Sequence, residues 1–212
     1  MLVWHHLIGD HVTLEVIQKE ISALLDDRAH ALGTAQHFRN LVAQARLGAS
    51  QQEHEAFFRG MLADVTEPTL PFGLTDVHHD GSSVAEARVT LPASLNTRLR
   101  TQARQLGVSL ASLCHLAWAR VLGAASSADA DGRIVFGTVL LGRMQAGVDQ
   151  ALGLLINTLP IRLDVNDASV VDSVRDTHER LAALLQHQHQ RRSRSLSDAA
   201  ALRRPHRSLA RC

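Results

Sequence analysis

Aromatic residues are scarce in this sequence: Phe, Trp and Tyr make up 3% of 212 residues and tyrosine is absent, so few rings are available for a core or a stacking surface. Cysteine is nearly missing too, and Cys114 and Cys212 cannot build a disulfide framework. Lysine is reduced to Lys19, so positive charge falls to arginine, a bias that points to GC-rich coding rather than to function. The start lacks the basic region and apolar run of a signal peptide, and no apolar stretch is long enough to span a bilayer. The expectation is a cytoplasmic chain with no membrane partner.

What is present suits a globular protein. Hydrophobic residues make up 45% of the chain, and the length allows one large domain or two small ones. The formal charge of +1 is unevenly spread. Residues 191–212 hold seven arginines against Asp198, a balance of +6, so the remainder carries +1 − 6 = −5. Such a tail could grip phosphates, but it has no aromatic to stack on a base, so it reads as a disordered end and no nucleic-acid partner is expected.

The run Trp4-His5-His6-Leu7-Ile8-Gly9-Asp10-His11 carries the most chemistry. An imidazole can take or give a proton near neutral pH, and a carboxylate a few residues on can orient it or hold its loop. His6 and Asp10 are four apart and could ligate a metal if helical, but no further ligand is obvious, so no metal site is expected. Cys114 beside His115 reads as a buried thiol, because adjacent helix residues do not face one another. His78 and His79 read as solvated loop residues. His187 and His189, two apart on a helix, make a poor ligand pair.

Along the chain, residues 1–4 read as the end of a buried strand that delivers the histidines at its edge. Leu14, Ile17, Ile21, Leu24 and Leu25 predict an amphipathic helix over about 12–27, and two further helices follow near 36–47 and 51–64. Pro68 and Pro71 force an extended crossing segment, and a lobe boundary is placed after it. Residues 84–91 alternate like a strand. Pro92 opens a helix that Gly107 closes, and Ser109 caps the next, which is apolar nearly all round and so expected to be buried. Strands are expected at 133–141 and 157–165, and a last helix at 170–188. Alternating helices and strands favour an open α/β sandwich.

At this point the chain resembles the condensation domains of nonribosomal peptide synthetases, relatives of chloramphenicol acetyltransferase and other CoA-dependent acyltransferases. His5 to Asp10 is similar to their HHxxxDG signature, with His11 where glycine is usual. Phe136 to Arg143 resembles the strand ending in Gly-Arg, and Gly153 to Arg162 the GxxxNTxPxR motif. Residues 91–122 fit the helical pair of the family.

The resemblance implies a chloramphenicol acetyltransferase-like two-lobed α/β sandwich, incomplete here. Residues 1–75 would be a remnant of the N-terminal lobe, 76–190 part of the C-terminal lobe, and 191–212 an off-pattern tail. It also implies amide formation between a donor thioester and the amine of an acceptor. Both arrive on the 4′-phosphopantetheine arms of carrier domains, so no cofactor is bound directly. Partners would be peptidyl carrier domains and the adenylation domain of a parent synthetase.

By motif position, His6 would act as general base or position the amine, with His5 beside it. Asp10 would pair with Arg143 to brace the loop, and Asn157 would lie near the tunnel. Most of the rate gain would come from aligning two tethered substrates, an effect worth on the order of 7–11 kcal/mol. An epimerisation or dual-function domain, or a remnant that only docks carriers, remains an alternative. The chain is read as truncated at both ends and inactive by itself.

Overall fold

The computed structural model describes residues 3–74, 85–126, 132–142 and 150–188. Six α-helices and two strands occur among them: α1 His11–Leu25, α2 Phe38–Leu47, α3 Gln51–Leu62, α4 Ala93–Leu106, α5 Leu110–Ala125, β1 Arg133–Leu141, β2 Ile156–Asp164 and α6 Val170–Gln186. The chain forms two compact units. One comprises Met1–Gly60, Thr138–Leu159 and Gln186–Cys212, and the other Met61–Gly137 and Pro160–Leu185. These units interleave along the chain.

β1 and β2 pair as an antiparallel ribbon. Val165 N donates to Gly132 O at 2.8 Å at one end, and Gly142 N donates to Leu155 O at 2.7 Å at the other. Gly132 has φ +66°, and a Cβ there would run into the carbonyl oxygen of Val165, so the ribbon end requires glycine. Leu159, Ile161 and Leu163 alternate to one fully buried face of β2.

In the second unit, α4 and α5 meet at a 108° bend. Gly107 closes α4 in the left-handed conformation, with its N–H on Ala103 and Arg104 carbonyls, and the Ser109 side chain caps α5 by accepting from Ser112 N. Both ends match expectation because capping depends on neighbours in sequence. The core holds Leu116, Ala119 and Leu122 of α5, Ile134 of β1, and Val174, Leu181 and Leu184 of α6. Arg162 of β2 sits amid charge here. It donates to Asp64, to Met61 O and, in a fork, to Asp164 at 2.8 and 3.3 Å. Arg180 joins Asp164 to Asp176, and Arg133 also reaches Asp64.

Five expectations are corrected. Residues 3–5 form no strand and Val3 is exposed; residues 85–92 form none either, and Val89 is 87% exposed. An alternating pattern becomes a strand only when a neighbour satisfies its backbone. The inward face of α1 is Thr13, Val16 and Ala23, whereas Ile21, Leu24 and Leu25 face out. α5 buries only one side, leaving Trp118 and Val121 half exposed. Cys114 is exposed rather than buried. His78 and His79 lie outside the described residues.

Candidate active site

The histidine loop is a single 3₁₀ turn, His6–Ile8. His5 caps it: its Nδ1 accepts the N–H of Leu7 at 3.2 Å, so the proton of a neutral His5 must sit on Nε2. His6 takes the opposite tautomer. Its Nδ1 lies 3.0 Å from Gly9 O, and a carbonyl oxygen can only accept, so Nδ1 carries the proton. The Nε2 lone pair of His6 is left available to accept one, on an exposed side chain. The two adjacent histidines are thus chemically distinct: one holds the turn, and the other presents a base.

Gly9 gives the turn its close packing, since a Cβ there would collide with the Trp4 ring. Asp10 follows, 1% exposed, as the N-cap of α1. Its Oδ1 accepts from Thr13 N at 3.1 Å and lies 3.3 Å from Thr13 Oγ1, and its Oδ2 accepts from Leu155 N at 3.1 Å. Thr13 ties in the same segment, accepting from Gly153 N at 3.1 Å and donating to Gly153 O at 3.0 Å. These polar anchors explain why the Thr13 face of α1 points inward. Gly153 in turn has φ +140°, and a Cβ there would strike the ring of Phe38 on α2.

Arg143, expected to brace Asp10, lies outside the described residues. Among the described residues the brace is the main chain of Gly153 and Leu155, some 140 positions further along. Thr13 and Leu155 were not singled out from sequence, and Gly153 only as the first residue of the GxxxNTxPxR motif. The Asp10-x-x-Thr13 spacing is an N-cap signal that could have marked Thr13, but its link to Gly153 has no local signature.

Asn157 is half buried at the start of β2, and its Nδ2 donates to Gln188 O at 2.7 Å. It lines an open cavity of ≈ 200 Å³ with Phe38, Val42, Ala45, Leu155 and Ile156. Asp10, His6 and this cavity are therefore linked through one hydrogen-bonded run of backbone.

A second cluster in this unit went unforeseen. α3 opens on a reciprocal capping box, in which Ser50 N donates to Glu53 Oε2 at 2.6 Å and Glu53 N to Ser50 Oγ at 3.3 Å. One turn on, His54 Nδ1 lies 2.7 Å from His187 Nδ1, and Phe57 stacks on His187 with centroids 4.0 Å apart. His187 thus pairs with α3; His189 lies outside the described residues. One imidazole must donate and the other accept, so both cannot be charged together.

Burial lowers both pKa values from the ordinary 6.5, His54 lowers that of His187 further, and Glu53 partly offsets each. A lowered folded value means the unfolded chain binds more protons below about pH 6.5, so stability is full above that pH and falls as the pH drops through it. Thermal unfolding followed by circular dichroism should show a loss between about pH 7.5 and about pH 5 that shrinks in His54→Gln. Equal losses in both proteins would remove the pair as the cause.

The family model for the condensation domain matches residues 1–191. The chain belongs to the condensation-domain family. It is 57% identical over 187 residues to malpinin synthetase of Mortierella alpina and 54% identical to malpibaldin synthetase of the same organism. Each match covers 87% of this chain but only 2% and 3% of those proteins, so the chain spans a small part of the relatives it matches. Among solved structures, VibH, an NRPS condensation enzyme, superposes with TM-score 0.68 at 19% identity, covering 92% of this chain and 46% of that one. The first condensation domain of the CDA synthetase gives 0.67 at 23%, covering 88% and 42%. The fold is therefore the chloramphenicol acetyltransferase-like α/β fold of condensation domains, of which this chain holds part.

Proposed function

We propose that this condensation-domain chain supplies the histidine loop of an amide-forming site in a nonribosomal peptide synthetase. The observation that carries the reading is the tautomer of His6. With Nδ1–H held on Gly9 O, Nε2 offers a lone pair on a turn anchored through buried Asp10.

An acceptor amine attacks the donor thioester carbonyl, the C–N bond forms, and the carrier thiol leaves. The attacking nitrogen loses one proton, which His6 Nε2 receives and returns to the departing thiolate. The same nitrogen can instead hold the amine by accepting its N–H, and both routes need the tautomer that Gly9 enforces. His5 shapes the turn and does not touch the amine. The substrates come on phosphopantetheine arms of carrier domains, with an adenylation domain loading them. Asp10 and Arg143 form the brace of the loop in this reading, with Leu155 N as a further support. Asn157 holds the Gln188 main chain through its side-chain amide at the edge of the cavity.

A synthetase module carrying this segment, given one donor-loaded and one acceptor-loaded carrier, should release dipeptidyl-carrier. His6→Ala should lower that rate by about 10²- to 10⁴-fold, and His5→Ala by much less. A product with an inverted α-carbon would assign epimerisation instead, and carrier binding without reaction would leave only a docking role.

A further inference from the structure

The cavity beside Asn157 has the size of a side chain, not of a substrate. Its ≈ 200 Å³ is below the range of ligand pockets that enclose whole small molecules. A cavity of roughly 150 Å³ nevertheless suffices for a benzene ring. A pantetheine arm with its aminoacyl group cannot be enclosed here, whereas one ring or branched aliphatic group can.

The walls agree. Phe38, Leu41, Val42 and Ala45 come from one face of α2, at spacings of three and four, and Leu155 and Ile156 form the opposite side. Phe38 is 43% exposed and pressed on Gly153. Among the described residues of the wall, Gln188 is the one with an unmet polar group. It is 8% exposed, and its side-chain Oε1 is buried with no hydrogen-bond partner. Leaving such an acceptor unpaired is unfavourable, and the terminal amide torsion of glutamine is soft enough to turn toward an arriving donor.

We propose that this cavity is the side-chain pocket for one of the two tethered aminoacyl groups, preferring an apolar ring that carries a single N–H or O–H donor. The proposal rests on the amide-forming reading above. Its place follows from Leu155, which both lines the cavity and binds Asp10, four residues after His6. A group seated there is continuous with the histidine loop. Ala45 and Val42 set the depth of the pocket, and Gln188 sets the demand for a donor.

The test uses indole as the probe and indene, its carbon isostere without the N–H, as the control. Titration of the full chain by calorimetry should show indole binding at least tenfold tighter than indene. Gln188→Met, which keeps the length and apolar volume, should erase that difference. Ala45→Phe, with Val42→Phe as a second filling variant should the first misfold by circular dichroism, should abolish binding of both probes. In the two-carrier assay, the ratio of tryptophanyl to alanyl transfer should fall at least tenfold in the folded filling variant.

Indole and indene binding alike, or an undiminished affinity in a folded filling variant, overturns the pocket. An unaltered transfer ratio overturns its link to the reaction. Absence of amide formation from either amino acid, with indole binding intact, instead overturns the amide-forming reading and leaves an apolar pocket.

Discussion

Replacing Asp10 with alanine should destabilise the chain by about 2–4 kcal/mol. Loss of an N-cap costs about 0.5–2 kcal/mol, and a buried N–H left without its acceptor costs about 1–3 kcal/mol more. Both terms apply, because Asp10 caps α1 through Oδ1 while Oδ2 receives Leu155 N. The Thr13 hydroxyl would keep Gly153, so the segment would loosen at Leu155 first.

Asp10→Asn separates the two terms. Its oxygen still caps the helix, but its amino group then faces an N–H, so the stability should fall between those of wild type and alanine. Urea unfolding gives the free energies, and amide exchange at Leu155 reports where the loss occurs. A cost under about 1 kcal/mol for alanine would mean that the carboxylate does not anchor the loop.

Arg162→Met should cost about 2–3 kcal/mol through the second unit alone. Severing a buried ion pair costs about 3–5 kcal/mol, but the Asp64 side chain is 52% exposed and keeps Arg133, and Asp164 keeps Arg180, so the full penalty does not apply. Burial alone would lower the pKa of Arg162, and Asp164 with Asp64 more than reverse that, so the guanidinium stays charged at any working pH. The pKa of Asp64 is lowered by its own main chain, then by Arg133 and Arg162, despite some desolvation. Its share of stability is present above the ordinary 3.8 and is lost as the pH falls through the lowered value.

Arg162→Lys should recover less than half of the loss. An ammonium cannot reproduce the fork on Asp164. Denaturant midpoints of the three proteins at low and high salt decide this, and a lysine variant as stable as wild type would reduce the network to simple charge.

The legibility of this chain follows the range of the signals. Gly107, Ser109 and the periodicities of α4, α5 and α6 act within a few residues, and each element formed near its expected bounds. The strand patterns at 133–141 and 157–165 also formed, because each is the partner of the other. Residues 85–91 carry a comparable alternation, yet have no strand alongside them among the described residues. The buried side of α1 could not be read from its leucines, since two hydroxyl bonds to Gly153 outweighed them.

The candidate site divides the same way. His6 and Asp10 were legible from their spacing, and the capping of the turn by His5 and the unprotonated Nε2 of His6 followed only from which atoms lie within hydrogen-bond distance. The pairing of His54 with His187 joins residues 133 positions apart, neither of which has a local motif.

Sequence alone determined the family, the helices with the caps of α4 and α5, and which histidine and aspartate form the candidate site, because each depends on residue type and short spacing. Tertiary structure alone decided which imidazole nitrogen is free, what holds Asp10, which face of α1 turns inward and where a side-chain-sized cavity opens. Those properties arise from contacts between segments distant in the chain, and a periodic pattern specifies that a face is buried without specifying against what.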